Sequence, residues 1–534
     1  MRRLKAQGRA PLALSDPSGD PRAVAILTTP HAESIAQMMA DILRTHDYRV
    51  QIAQDAAGAA GFAHCLVISP QNFRKLPPNY IAFQLEQSIN QRWFTPDYVA
   101  KLDAARAVLD YSRGNLAFLQ DKGLPLARLF WLPIDTDPTV ARGKSAGTRK
   151  GALFYGDAVS PRRKEILDRL KAAIPELQIA TNLFGVELST ALRNTAVVVN
   201  VHFYDGALLE TTRIHQALSH GAMIVSEAGA DAADHRALHD VVDFAPVGDI
   251  EALIRLTRRA LDDAEHRQTR LDRIAAFATR TDNRFRAGFR RFLLAQDMIS
   301  FQDFLQAEPN WPAPLAPEVT RRICLTLPET SARRAQFLSQ APAADFMLWD
   351  GLRGQPGWRG AAFSHSQICH RLIAQGHDQA IICEDDVLFP ADFEERLALV
   401  QRYLARTEWE MFSGFIADLH PEAKILAVEE FEGVTFVHID RAVSMVFNIL
   451  RAPVMRHLAA WDANNDNPYT NTIDRWLEAR PTRAVVALPF LVGHRMDAKS
   501  TLRDDQITHY DQLSQRSLEL LDRKVRVFRA GRAG

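Results

Sequence analysis

Short apolar runs of four or five residues recur along this chain, and helical periodicity follows them, a rhythm that leaves few folds open. Ala23-Val24-Ala25-Ile26-Leu27 is such a run, and Glu33 to Arg44 carries the first helix. Arg49 to Ile52, His64 to Ile68, Ile81 to Phe83 and Ala107 to Leu109 continue the strand pattern. Apolar strands alternating with helices imply a parallel sheet covered by those helices. The pattern predicts one Rossmann-like half over residues 22–140, ended by the Pro-containing segment Leu129 to Asp137. A second half, residues 141–307, opens at Gly151-Ala152-Leu153-Phe154-Tyr155-Gly156. There Ser160 reads as the N-cap and Pro161 as the first residue of a helix to Ala173. Ala196 to Val201 and Ala222 to Ser226 read as strands around a helix, Glu210 to His220, stopped at Gly221. Charged helices from Asp249 to about Leu305 close the half.

Four prolines in Glu308 to Pro317 mark a linker, residues 308–318, because proline biases the chain toward extended structure. Beyond it a third alternating unit is expected over residues 319–515, with strands at Ile323 to Leu327 and Ala380 to Cys383 and a helix at Asp392 to Leu404. Residues 516–534 form a basic tail with no assigned structure. Residues 1–21 read as a disordered leader without the apolar core of a secretory signal. A chain of 534 residues exceeds one ordinary core. Its 64 basic residues balance 64 acidic ones, so no net field favours nucleic acid or an anionic membrane. No apolar run is long enough to span a bilayer. Cys65, Cys324, Cys369 and Cys383 form no Cys-x-x-Cys pair and read as buried thiols in a reducing compartment. The expectation is a cytoplasmic protein, with at most peripheral attachment at the inner face of a membrane.

The sharpest chemical signal lies in the third unit. Ala380-Ile381-Ile382-Cys383 runs directly into Glu384-Asp385-Asp386. A buried strand ending in three carboxylates is costly unless a cation meets them. Hard oxygen ligands suit Mg²⁺ or Mn²⁺, which can bridge a nucleotide diphosphate and neutralise it as a leaving group. Gly360-Ala361-Ala362-Phe363-Ser364-His365 precedes a helix leading into this strand. Arg333 and Arg334 follow the unit's first strand, and Asp474 lies later, in Thr472-Ile473-Asp474-Arg475.

This order resembles the family 25 glycosyltransferases of lipopolysaccharide outer-core synthesis, over roughly Arg322 to Arg503. Its most specific part is Ser364-His365 followed, nineteen residues after His365, by Glu384-Asp385-Asp386. The resemblance implies a GT-A fold, a nucleotide-sugar donor, usually a UDP-hexose, and transfer to a saccharide or lipid-linked saccharide. Carried over, Asp385 and Asp386 are the metal and diphosphate ligands, with Glu384 beside them. Arg333, Arg334, Ser364 and His365 line the donor site, and Asp474 and Asp386 are the catalytic candidates. His494 is a candidate late metal ligand. Thr326 stands where the family usually has Asn, and Ala361 where it usually has Cys.

The second half carries another pattern. Asn200-Val201-His202-Phe203-Tyr204-Asp205-Gly206 leads into Glu210-Thr211-Thr212-Arg213. This resembles the donor-binding half of GT-B glycosyltransferases, in which a Glu near a helix start meets the donor ribose and helix N-termini receive the diphosphate. Glu210 is the ribose candidate, Arg213 a diphosphate partner, and Gly156 with Arg162 and Arg163 a second phosphate-facing turn. Gln216 sits where a second Glu of such enzymes would align. No metal or other cofactor is expected for this part. Thr28-Thr29-Pro30-His31 after the first strand is no dinucleotide loop. The fold class expected is therefore α/β: two Rossmann-like halves in GT-B arrangement, then a GT-A-like domain. The function expected is sugar transfer in bacterial surface-glycan synthesis. One active domain beside a docking module, or a non-enzymatic glycan-assembly scaffold, remain the alternatives.

Overall fold

The computed structural model describes residues 20–59, 61–89, 92–142, 149–280, 282–306, 322–442, 444–495 and 510–532. The leader, but for Asp20 and Pro21, and the proline-rich linker lie outside the described residues. The chain divides into two compact units, one ending at Phe289 and the other starting at Arg290.

The first unit holds two parallel sheets. In the first, β1 (Ala23–Leu27), β2 (Arg49–Ala53), β3 (His64–Ile68), β4 (Ile81–Gln84), β5 (Ala107–Asp110) and β6 (Leu129–Trp131) order as β2-β1-β3-β4-β5-β6. Helices α1 (Glu33–Arg44), α2 (Pro96–Ala104) and α3 (Arg113–Asp121) connect them. Helix α1 buries Ile35, Ala36, Met39, Ala40, Ile42 and Leu43, the three-to-four spacing of one helix face. The Pro-containing segment after residue 128 begins with the edge strand β6, paired with β5. The short α4 (Pro138–Ala141) follows.

The second sheet orders as β11-β10-β9-β7-β8, from β7 (Lys150–Tyr155), β8 (Leu177–Ala180), β9 (Thr195–Asn200), β10 (Met223–Glu227) and β11 (Val242–Ala245). Its helices are α5 (Pro161–Ala173), α6 (Gly185–Asn194), α7 (Thr211–Ser219), α8 (Ile250–Asp262) and α9 (Ala264–Ala278). Ser160 caps α5 as its sequence predicts, accepting from the Arg163 amide at 3.1 Å. Valines 197, 198, 199 and 201 and Leu209, Ile214 and Leu218 form the centre of this core.

Helix α10 (Arg284–Ala295) contains the unit boundary, and α11 (Phe301–Gln306) belongs wholly to the second unit. The boundary thus falls about twenty residues before the expected linker. Prolines stiffen a segment but do not decide where the helix before them packs. Here Arg291 is buried, donating through Nε to the Gly351 carbonyl at 2.7 Å and pairing with the buried Glu329.

The second unit is built on one mixed sheet of order β13-β12-β14-β19-β16-β20-β18-β17. Its strands are β12 (Arg322–Thr326), β13 (Met347–Asp350), β14 (Gln379–Glu384), β16 (Met411–Ser413), β17 (Ile425–Phe431), β18 (Val434–Ile439), β19 (Phe447–Arg451) and β20 (Ala484–Leu488). β15 (Val387–Leu388) and β21 (Gly493–His494) make a separate small ladder. The helices are α12 (Ser331–Leu338), α13 (Gly357–Ala374), α14 (Phe393–Leu404), α15 (Ala452–Ala459), α16 (Pro468–Asn471), α17 (Ile473–Glu478) and α18 (Tyr510–Arg532).

Two expectations change here. Residues 360–365 lie inside α13 rather than ahead of it. Gly360 costs helix propensity, but a Cβ there would meet the Leu352 carbonyl oxygen at 2.8 Å, so glycine is what lets the helix approach that backbone. The basic tail is helical: α18 buries Ser517, Leu521 and Val525 at four-residue spacing, and the Ser517 hydroxyl accepts from the Leu419 amide at 2.9 Å. All four cysteines are buried free thiols. Among the described residues, no helix is long and apolar enough to cross a membrane.

Candidate functional site

In the second unit the site is assembled at the end of β14. Parallel pairing sets Leu325 against Glu384, which brings Thr326 beside Asp385. The Thr326 hydroxyl donates to Asp385 Oδ2 at 2.7 Å. From the first turn of α12, Arg333 donates to Asp385 and, at 3.1 Å, to Asp386 Oδ2. The β15–β21 ladder pairs Val387 with His494, and the Arg495 amide donates to the Asp386 carbonyl at 2.8 Å. His494 Nε2 consequently lies 3.4 Å from Asp386 Oδ2.

Burial would raise the pKa of Asp386, but His494 and Arg333 outweigh it and hold the carboxyl below its usual range. Burial likewise opposes charge on His494, yet Asp386 and Glu384 raise its pKa overall. For Asp385 burial wins over Arg333 and the pKa rises. Asp386 Oδ1 is buried without a protein partner. Arg333, Asp385, Asp386 and His494 therefore form one cluster.

Four other predicted residues lie apart from it. Arg334 pairs with Asp350 at 3.1 Å. The Ser364 hydroxyl donates to the Gly360 carbonyl at 2.6 Å and accepts from the Leu352 amide at 2.8 Å, so it braces α13. His365 is fully buried, with Nε2 3.5 Å from Glu384 Oε1 and Nδ1 lacking a partner. Asp474, in the first turn of α17, is pushed up to about 6 by burial and by Glu384. Glu384, His365 and Asp474 thus form a second, electrostatically linked group beside the first.

As a test of whether a divalent cation suits this donor set, Asp386 offers one uncommitted buried carboxylate oxygen and His494 one imidazole. Mg²⁺ and Mn²⁺ sites commonly take one or two protein ligands plus substrate phosphate and water, so these two residues fit such a group. Among the described residues no cluster of three or more His, Cys, Asp or Glu side chains is placed to hold a metal by itself.

In the first unit, the region around β9 and the start of α7 is a dense charge network. Glu210 accepts from His202 Nδ1 at 2.5 Å, from the Asn200 amide at 3.0 Å and from Arg163 at 3.3 Å. Burial alone would raise the Glu210 pKa, but His202, Arg213 and Arg163 bring it down to about 2. His202 also donates through Nε2 to the Ala228 carbonyl at 3.0 Å. A carboxylate and a carbonyl both only accept, so both ring nitrogens carry protons and the imidazole is cationic. Its raised pKa agrees.

Arg162 is bound on both sides of its fork by the buried Glu227 and also donates to the His202 carbonyl at 2.9 Å. Glu227 further accepts from the His202 and Gly248 amides, at 2.7 and 2.8 Å. Arg163 donates to the Val201 and Asp157 carbonyls. Arg213 lies against the Gly156 turn: a Cβ on Gly156, at φ +126°, would meet its Nη2 at 2.8 Å. Its Nε is buried without a partner. Of the residues the sequence suggested here, Gly156, Arg163, Glu210 and Arg213 are brought together, and Arg162 is committed to Glu227. Sequence reasoning passed over Asn200, His202 and Glu227 as site residues, although all three lie in the motif or at the strand end beside it.

Between the two sheets of this unit lies a small pocket lined by Tyr111, Arg113, Asp135, Thr211, His215 and Arg280, among others. The Thr211 hydroxyl, at the start of α7, is buried without a partner, and burial lowers the His215 pKa to about 4. Behind it Asp110 accepts from Gln84, Asn115 and the Ser112 amide, a closed network whose burial raises its pKa to about 8.

No family model matches the chain, and neither does any curated protein. Solved glycosyltransferase structures resemble part of it. WaaG, a glycosyltransferase involved in lipopolysaccharide biosynthesis, matches 51% of this chain over 98% of its own, at 9% identity and a TM-score of 0.37. Anabaena Alr3699/HepE, in complex with UDP and glucose, matches 48% over 93% of its own, at 10% identity and a TM-score of 0.34. An α-glucosyltransferase in complex with UDP-glucose and DNA matches 48% over 94% of its own, at 8% identity and a TM-score of 0.33.

Proposed function

We propose that this chain is a glycosyltransferase, moving a sugar from a nucleotide-sugar donor, with UDP-hexose favoured, to a saccharide or lipid-linked saccharide in bacterial surface-glycan synthesis. The observation that carries this reading is the cluster at the end of β14. Two adjacent aspartates converge on Arg333, Asp386 also meets His494, and one Asp386 oxygen is buried with no protein partner. Asp386 and His494 would hold a divalent cation, which supplies charge neutralisation to the departing diphosphate. Arg333 keeps both aspartates oriented. Asp474, with a pKa near 6, is ionised at neutral pH and basic enough to take a proton from an acceptor hydroxyl.

A second reading has catalysis in this unit alone, with the first unit acting as a binding module. It is favoured by the first unit's own chemistry, because Glu210 and Glu227 are both engaged by protein donors. Calorimetry of the full chain with UDP tests the main reading. Wild type should bind UDP with Mn²⁺, and Asp386→Asn should lose the Mn²⁺-dependent part. Equal UDP affinity in both proteins, with and without EDTA, would sink it.

A further inference from the structure

An open groove of about 680 Å³ lies on the first unit, lined by Ile89, Ser160, Arg162, Phe203, Tyr204 and Asp205. Two half-buried aromatic rings, Phe203 and Tyr204, line it, and Trp93 stands beside them across Arg92. Trp93 is 42% exposed and Ile89 47% exposed, on the segment after β4. Phe203 and Tyr204 stand edge to face with centroids 4.8 Å apart. The Arg92 guanidinium lies over both Trp93 and Phe203, at 5.1 and 5.9 Å from their centroids, and so ties the two segments together.

The turn that presents Phe203 and Tyr204 is held from inside. Arg162 donates to the His202 carbonyl and to Asp205 while its other side is fixed by Glu227. Arg163 packs beneath Phe203, 5.1 Å from its centroid. The rings are therefore preorganised rather than free to collapse onto the protein. Asp205 keeps its carboxylate in solvent, 88% exposed, although it is ion-paired.

We infer that this groove is a saccharide-binding subsite of the first unit, for a glycan of the class handled in the transfer proposed above, on which the inference rests. A pyranose ring has an apolar C–H face and a rim of hydroxyls. The groove offers the complement: flat rings at its wall, and a carboxylate, a phenol and a guanidinium around them, able to accept from and donate to hydroxyls. The same rings and Arg92 could meet a membrane surface, but the wall is concave and carries the exposed Asp205 carboxylate, which anionic headgroups would repel.

The test uses the full chain on an array of hexose and N-acetylhexosamine oligosaccharides, with the best-retained sugar taken into calorimetry. UDP with Mn²⁺ is titrated into the same samples. Wild type should retain at least one oligosaccharide. Trp93→Ala should bind it about tenfold more weakly, the scale of one lost aromatic contact. Trp93→Phe should recover most of the affinity, and UDP affinity should be unchanged in both. The inference is overturned if no sugar is retained, or if Trp93→Ala binds sugar as wild type does. It also falls if the substitution weakens UDP instead, or only removes binding to phosphatidylglycerol vesicles. Trp93-dependent sugar binding without any UDP binding would leave the groove standing and remove the transferase reading.

Discussion

Replacing Glu210 with Gln isolates the ion cluster at the start of α7. The side chain is 14% exposed and accepts from His202, Asn200 and Arg163. Its pKa falls from 4.5 to about 2 on folding. That depression corresponds to roughly 3 kcal/mol of differential stabilisation. Because the folded pKa is depressed, that stability is fully present above pH 4.5 and is lost as pH falls toward 2. The shift predicts that Glu210→Gln is less stable than wild type by about 3 kcal/mol at pH 7, and by only about 1.4 kcal/mol at pH 3. Urea unfolding of the full chain at pH 7, 4 and 3 measures this, with hydrogen exchange of the β9 and β10 peptides reporting the first unit. A difference that stays constant across this range, or a variant as stable as wild type at pH 7, would refute the ionised cluster. A Glu210 free to meet a ribose would give that second result.

Other outcomes follow from the same structure. Gly360→Ala places a methyl 2.8 Å from the Leu352 carbonyl oxygen and should destabilise the second unit by about 1–3 kcal/mol, read as an earlier denaturation midpoint; an unchanged midpoint would show that α13 does not need that close approach. Because Asp386 raises the His494 pKa above 6.5 and a metal ligand must be neutral, Mn²⁺-dependent UDP affinity should climb with pH above that value. A flat profile from pH 6 to 9 would exclude His494 as a ligand. A fragment starting at residue 284 should outlast one starting at 318 in thermal unfolding, since only the longer one supplies Arg291 to Glu329 and to the Gly351 carbonyl. Equal melting of the two would place the boundary back at the prolines.

Much of the architecture is written locally. Uniformly apolar runs such as Ala23 to Leu27 and Ala380 to Cys383 can only be central strands, because every residue is buried whichever face it takes. Ser160-Pro161 fixes a helix start because a hydroxyl cap and a missing amide hydrogen act within one turn. The acidic turn after β14 was legible for the same reason: carboxylates next to a buried strand need a cation wherever the rest of the chain goes. Spacing could not say which cation. Arg333, about fifty residues earlier, and His494, about a hundred later, reach Asp386 only through strand pairing.

The tertiary structure also decided what local chemistry left ambiguous. Arg162 resembles a phosphate ligand in sequence, but a parallel sheet sets it against the end of β10, where Glu227 binds it. His202 is one histidine among 17 until folding faces its two nitrogens with a carboxylate and a carbonyl. The tail beyond residue 514 has too many charges to announce a helix. Ser517, Leu521 and Val525 nevertheless find a surface on the second unit, and helix stability comes from such packing more than from propensity. Sequence therefore determined the strands, the caps and the places where charge collects. Folding determined the partner of each charge, because those partners lie tens to hundreds of residues away and meet only when the sheets form.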